Sequence, residues 1–165
     1  MPQDLWYKVA RTIAKAGQIL MPISDTLIKL LRIIITEEQA KFLLIFKKPS
    51  LNFNQIKEKS DLDETQLKKI LNDLMYNGVI TGTTSRSTGV KVYRLMGPFP
   101  GIFEFTFMRG EATEKEKKLV KLFDRLFEEM SQATQKNYDE LIPQYKKIVP
   151  AIARVVPVEK EIETP

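Results

Sequence analysis

DETQLKKILNDLMYNG, the stretch from Asp63 to Gly78, decides the predicted fold of this chain. Its apolar residues recur at i, i+3, i+4, i+7 and i+8, a spacing that places them on one face of a helix. These residues are Leu67, Ile70, Leu71, Leu74 and Met75. Asp63 and Gln66 form a capping-box pattern at the start, and Gly78 can end the helix. The stretch therefore predicts a helix with a defined beginning and end.

Two short β-rich runs follow this helix directly. VITGTT (79–84) and VKVYRL (90–95) flank the turn SRSTG. Runs of β-branched and aromatic residues around a turn that contains Gly and Ser are typical of a β-hairpin. Capping-box patterns at Thr36 with Gln39, and at Asn52 with Gln55, predict two shorter helices before the Asp63 helix. Three helices followed by a hairpin indicate a winged helix-turn-helix.

Two helices are predicted before this core: an amphipathic helix over residues 4–17, and a helix from Ser24 or Asp25 to Ile35 that is apolar on most of its surface. The first is basic on its polar side, and it either packs on its own domain or lies on a membrane surface or in an acidic groove. Together with the core they indicate a mostly α fold with a small β component, with N-terminal helices and a long C-terminal helix.

Aromatic and helical segments follow the hairpin. IFEFTF (102–107) alternates like a strand that places Phe103, Phe105 and Phe107 on one face. A long helix is predicted from Thr113, and a further helical segment runs from Tyr138 to Ile148 with a kink at Pro143. The predicted organisation is an N-terminal helical extension (1–35), the winged helix-turn-helix core (36–96), the aromatic strand with C-terminal helices packed on the core (97–149), and an extended tail or linker (150–165).

Composition excludes several classes of function. The chain has 165 residues, of which 43% are hydrophobic, and it contains no cysteine and no histidine. Disulfides, thiol nucleophiles, imidazole bases and the usual zinc and iron–sulfur ligands are therefore absent from this sequence. Its carboxylates are scattered over helix first turns and polar faces, and it has no phosphate-binding Gly-Lys-Ser/Thr loop. We expect a protein that is not an enzyme and holds no metal or cofactor in this chain.

The amino terminus does not resemble a signal peptide, because Lys8, Arg11 and Lys15 interrupt every apolar stretch. Apolar runs along the chain are too short to span a bilayer. We therefore expect a cytoplasmic protein without a membrane partner.

Positive charge is concentrated in the first part of the chain. Residues 1–36 carry five Lys/Arg against two Asp/Glu, and residues 37–96 carry ten against seven. Candidate nucleic-acid contacts on the outward face of the Asp63 helix and on the hairpin are Thr65, Lys68, Lys69, Asn72, Arg86, Lys91 and Arg94. Asp63, Glu64 and Asp73 lie on or beside the same helical face and oppose a phosphate backbone. The pattern fits either a module that binds duplex DNA or a structural, protein-docking winged helix.

Aromatic residues also predict an interface. Phe103, Phe105 and Phe107 share one face of the predicted strand, and an apolar stripe follows on the long helix. The stripe residues considered for this interface are Leu119, Phe123 and Phe127. These side chains either cover the core beneath the hairpin or form a homodimer or partner interface, because aromatic residues concentrate in both places.

The run YRLMGPFPGIFEFTFMRG, from Tyr93 to Gly110, and the closing ARVVPVEKEIE, from Ala153 to Glu163, carry a family resemblance. Together with the preceding helices and hairpin they resemble the amino-terminal region of prokaryotic four-iron four-sulfur ferredoxin-domain proteins. The resemblance implies a cluster-free docking module before a cysteine-rich electron-transfer domain, with a redox protein as partner. This sequence departs from the family because it has no cysteine, so no cluster ligand can be assigned. It is then either a fragment that ends before the ferredoxin module or a stand-alone relative.

Overall fold

Seven helices and three strands form along residues 4–17, 21–48, 50–140 and 143, which are the residues that this computed structural model describes. In chain order they are α1 (Leu5–Ala16), α2 (Asp25–Ile34), α3 (Glu37–Leu43), β1 (Ser50–Asn52), α4 (Phe53–Lys59), α5 (Glu64–Tyr76), β2 (Ile80–Thr84), β3 (Lys91–Leu95), α6 (Ile102–Phe107) and α7 (Glu114–Lys136). Within this part of the chain the fold is mostly helical with a small antiparallel sheet, as the sequence predicts. The described residues up to Met130 form one compact unit, and those from Ser131 onward belong to a second.

The predicted capping boxes begin α3, α4 and α5. At α5, the Asp63 carboxylate accepts hydrogen bonds from the backbone N–H groups of Thr65 and Gln66, at 2.8 and 2.9 Å. The Gln66 side chain accepts in return from the Asp63 backbone at 3.2 Å. The same reciprocal pairs form at the starts of α3 and α4. Replacing such a cap residue by alanine costs about 1 kcal/mol, so these pairs fix where the three helices begin.

One hydrophobic core joins α1 and α2 to the later helices. The predicted apolar face of α5 is buried at Leu67, Ile70, Leu71 and Leu74, and Met75 is partly buried against the core. The inward side chains of α1 belong to the same cluster and are fully buried: Val9, Ala10 and Ile13. The predicted N-terminal extension therefore packs against the helices that follow it.

The predicted hairpin is present, and it gains a third strand. β2 and β3 pair antiparallel, with Thr84 opposite Lys91 at the end of the ladder. β1, which no sequence pattern predicts, pairs with the other edge of β3, so the strand order is β1-β3-β2. Tyr93 and Leu95 are buried beneath the central strand, whereas Arg94 between them is exposed.

Residues 102–107 form the helix α6, so the prediction of an aromatic strand in this segment is wrong. The Glu104 carboxylate accepts from the Gly101 backbone N–H at 2.6 Å, which caps the first turn. Phe103 and Phe107 are four residues apart, so they share a helical face and pack on Phe123 of α7 at ring distances of 5.1 and 5.6 Å. Phe105 points elsewhere and is 43% exposed.

The long helix α7 begins at the predicted position. The Thr113 hydroxyl donates to the Glu116 carboxylate in its first turn, and the Thr26 hydroxyl of α2 donates to Glu129 farther along. In residues 131–165, the Asn137 side-chain amide donates to the Ala133 carbonyl at 2.9 Å. The predicted tail over 150–165 lies outside the described residues, as does most of the segment predicted from Tyr138 to Ile148.

Along the part of the chain that the structure describes, no helix combines the length and the apolar character needed to cross a membrane.

Candidate nucleic-acid interface

The outward face of α5 presents the predicted polar side chains. The burial of its apolar face leaves the opposite side of the helix in solvent. Thr65, Lys68, Lys69 and Asn72 are all exposed there. A helix that presents a hydroxyl, an amide and two ammonium groups offers donors for both base edges and phosphate oxygens.

Glu64 compensates much of the positive charge on this face. Its carboxylate lies 2.7 Å from Lys68 Nζ and 3.7 Å from Lys57 Nζ of α4. The hydrogen bond and the positive charge from Lys68, together with the charge of Lys57, lower the pKa of Glu64 below its ordinary value. Glu64 is therefore ionised at neutral pH. Lys68, the lysine at the centre of the predicted contact, is already paired with it.

Arg109 fixes the carboxyl-terminal end of α5. Its guanidinium group donates to the Tyr76 carbonyl at 3.0 Å and to the Phe105 carbonyl at 2.7 Å. The same group stacks over the Tyr76 ring at 4.3 Å and lies 3.4 Å from the Glu111 carboxylate. These bonds satisfy carbonyls that helix ends leave open, and they tie α5 to α6.

The structure does not bring the three predicted hairpin cations together. Arg86 is exposed at the tip, between Thr84 and Lys91. Lys91 lies on the same face of β3 as Tyr93, with its Nζ 5.4 Å from the centre of the Tyr93 ring. Arg94 lies on the opposite face, because side chains alternate along a strand. Of the three cations, Arg86 therefore lies at the exposed tip of the hairpin. Arg94 belongs to another surface of the molecule.

Arg94 lines a groove that no sequence pattern predicts. One cleft of about 660 Å³ is lined by residues of α1, of the segment after α3, and of β3. A second cleft of about 650 Å³ adjoins it and shares Leu44 and Lys47 with it. We call the two clefts together the basic groove. Its exposed cations are Lys8, Lys15, Lys47, Lys48, Lys59 and Arg94.

Local structure explains how the chain places these cations along the two clefts. Lys8, Thr12 and Lys15 follow each other at helical spacing, so they lie on one side of α1. After α3, the N–H groups of Leu44, Ile45 and Phe46 bond to carbonyls three residues earlier, and this tighter turn leads into Lys47 and Lys48.

The end of α1 also lies against the loop after β3. A Cβ atom built on Gly97 would lie 2.4 Å from the Gly17 Cα, so the two backbones are in direct contact.

One sequence signal points to the groove: the chain from Gln39 to Lys57 has four lysines and no acidic residue.

The predicted interface residues divide into buried and exposed ones. Leu119 and Phe123 are each 1% exposed and pack inside the chain, whereas Phe127 is 43% exposed. A shallow cleft of about 290 Å³ lies between α6 and α7 and is lined by Phe103, Phe107, Val120, Phe123, Asp124 and Phe127. The apolar surface open to a partner is therefore centred on Phe127 and on Val120, which is 52% exposed.

No cluster of three or more acidic side chains suited to a metal ion occurs within residues 4–17, 21–48 and 50–140. Comparisons with protein families, with curated proteins and with solved structures found no match to this chain.

Proposed function

We propose that this chain is a non-enzymatic winged-helix module that binds duplex DNA. The observation that carries the proposal is the succession α3-β1-α4-α5-β2-β3 with the strand order β1-β3-β2. In this arrangement α5 takes the position of the recognition helix and the β2–β3 hairpin that of the wing. The capped, well-packed α5 and the exposed Arg86 tip support the same interpretation.

Each side chain has a distinct role in this proposal. Thr65 and Asn72 contact base edges in the major groove, where an asparagine amide matches adenine. Lys69 contacts phosphate directly, and Lys68 does so after it exchanges Glu64 for the DNA backbone. Arg86 reaches phosphate or the minor groove from the hairpin tip. The protein acts in the cytoplasm without a cofactor in this chain, and the carboxylates serve as helix caps and ion-pair partners.

The test measures fluorescence anisotropy of labelled duplex DNA at two salt concentrations. Binding should weaken as salt rises, because each phosphate contact releases condensed cations. Lys68→Ala combined with Arg86→Ala should weaken binding about tenfold at low salt, since two phosphate contacts are lost.

A matched control keeps the change in charge the same. Lys115→Ala combined with Lys118→Ala removes two exposed lysines from α7 and should leave the affinity near that of the unmodified protein. If the protein does not bind duplex DNA at low salt, the proposal fails. It also fails if the α5–hairpin pair and the α7 pair weaken binding equally.

A second candidate function is protein docking, favoured by the exposed apolar surface around Val120 and Phe127. This surface would pair two copies in a homodimer or receive the redox partner of a prokaryotic ferredoxin-type protein. Light scattering at high protein concentration tests the first alternative, and a purely monomeric protein would exclude it. Reading the gene beyond Pro165 tests the second, because a stop codon there would remove the expected cysteine-rich domain.

A further inference from the structure

The six cations of the basic groove have no ion-pair partner among the described residues, unlike Lys68 on the outward face of α5. Lys68, Lys41, Lys117 and Arg125 each lie within 4.0 Å of a carboxylate one helical turn away. None of the six groove cations has a carboxylate oxygen within that distance in the part of the chain that the structure describes. No acidic residue is among the described residues that line either cleft.

The six cations are distributed over two adjoining clefts and are not all gathered in one. Lys8 and Lys59 line one cleft, Lys15 and Arg94 line the other, and Lys47 lines both. A single phosphate or carboxylate ligand needs donors that converge on it. Exposed cations spread over two adjoining clefts, without an ion-pair partner among the described residues, instead match a ligand that carries many separated negative charges.

The lining also indicates which part of a nucleic acid would be bound. Proteins that hold single strands stack bases on exposed aromatic rings. The aromatic residue among the described lining residues is Phe46, and it is 5% exposed, so its ring is part of the core. The Thr12 hydroxyl already donates to the Lys8 carbonyl at 2.8 Å. The groove therefore offers charge for a backbone and little to read a base.

We propose that the basic groove binds the phosphate backbone of duplex DNA, independently of base sequence, as a contact additional to those of α5 and the hairpin tip. The inference rests on the proposed function, because it assigns a second contact surface to the same ligand. Arg94 belongs to this surface and not to the hairpin contact. The groove contact fixes the protein on the duplex, and α5 reads the bases.

The experiment compares matched triple variants of the full chain by anisotropy with labelled duplex DNA. Lys15→Ala, Lys47→Ala and Lys48→Ala together remove three exposed groove cations. The control removes Lys115, Lys118 and Lys121 from α7 by the same substitution. The groove variant should bind at least about tenfold more weakly at low salt, and its log–log salt slope should fall by about 2.7, at ~0.9 per phosphate contact. The loss should be equal for unrelated duplex sequences.

Two further arms define the chemistry. The triple variant with arginine in place of each groove lysine should retain binding, because the charge is kept. Poly-glutamate should displace the duplex poorly, and equal displacement by poly-glutamate would replace the proposal with an acidic-protein site. The proposal is also overturned if the groove variant matches the α7 control in affinity and salt slope.

The pattern across variants separates this inference from the proposed function. If Lys68→Ala with Arg86→Ala weakens binding but the groove variant does not, the winged-helix contact stands and the groove proposal fails. If only the groove variant weakens binding, the groove stands and the role assigned to α5 fails. A protein that binds no duplex at all overturns both.

Discussion

The outward face of α5 and the basic groove carry similar residues but differ in how their charges are compensated. On α5, Glu64 pairs with Lys68 and with Lys57 of α4. Along the groove, the described residues provide no carboxylate for Lys47, Lys48 or Arg94. The electrostatic potential above each surface depends on which charges lie nearby in space. Lys68, which shares Glu64 with Lys57, should therefore attract phosphate less than a lysine of the basic groove does.

The two surfaces also differ in how the chain builds them. One continuous stretch of thirteen residues supplies the α5 face. The groove needs four separate segments of the chain: α1, the turn after α3, the end of α4 and β3. Gly17, at the end of α1, lines the first cleft and is in contact with Gly97 of the loop after β3. The α5 face should therefore survive local changes elsewhere, whereas the groove should respond to them.

The largest effect is expected from Gly97→Ala, which should separate the end of α1 from the loop after β3. The added Cβ would lie 2.4 Å from the Gly17 Cα, and backbone cannot move aside as a flexible side chain does. Such overpacking costs about 1 to 3 kcal/mol of unfolding free energy, measurable by urea denaturation. DNA binding through the groove should weaken as well, with the α5 contribution unchanged.

Gly82→Ala provides the control for this substitution. Its added Cβ would approach the ends of the Lys91 and Met75 side chains at 3.1 Å, which can shift. We expect a change within about 0.5 kcal/mol, because a strand residue also gains from replacing glycine. Equal urea midpoints for Gly97→Ala and the unmodified protein would show that the backbone contact does not hold α1 in place.

A smaller effect is expected from Glu64→Gln, which removes the carboxylate that compensates the lysines on the α5 face and so makes that face more like the basic groove. The change frees Lys68 and Lys57 from their shared carboxylate. Affinity for duplex DNA should rise about threefold to tenfold at low salt, because a repulsive charge leaves the contact. Glu114→Gln frees Lys117 on α7 in the same way and should have no such effect. An unchanged affinity for Glu64→Gln would argue against α5 as a DNA contact.

The smallest effect is expected in the titration of Glu64 itself. Its pKa lies below the ordinary value of 4.5, because Lys68 favours the ionised form. A lowered pKa contributes stability at pH values above 4.5, and this stability is lost as the pH falls through the lowered pKa. Side-chain NMR should show the midpoint below 4.5 in the unmodified protein and closer to 4.5 in Lys68→Ala. Identical midpoints would contradict the ion pair.

Local signals were sufficient to predict much of the fold. The three capping boxes, the apolar face of α5 and the hairpin all depend on residues within a few positions of each other. β1 was missed because three residues, Ser50–Asn52, carry no usable pattern, and they become a strand only by pairing with β3. The 102–107 segment was mistaken for a strand because three phenylalanines two residues apart fit a period of two. Packing of Phe103 and Phe107 on α7 favours the helix instead.

The candidate site was predictable only in part, for a similar reason. Helical spacing placed Thr65, Lys68, Lys69 and Asn72 on the exposed face of α5. It could not place Arg94 beside Lys15 and Lys47, because no periodicity relates residues on α1, on the loop after α3 and on β3. The role of Lys57 was hidden as well, since its ion pair with Glu64 joins two different helices.

The Arg109 contacts have an entropic consequence. One guanidinium group holds the last turns of α5 and α6 through two carbonyls and an aromatic ring. If α5 binds duplex DNA as proposed, a helix restrained by these contacts loses less conformational entropy on association than a helix without them. Specificity then depends on the fit of a rigid surface, and a ligand that requires α5 to rotate would have to break Arg109 away from both helices.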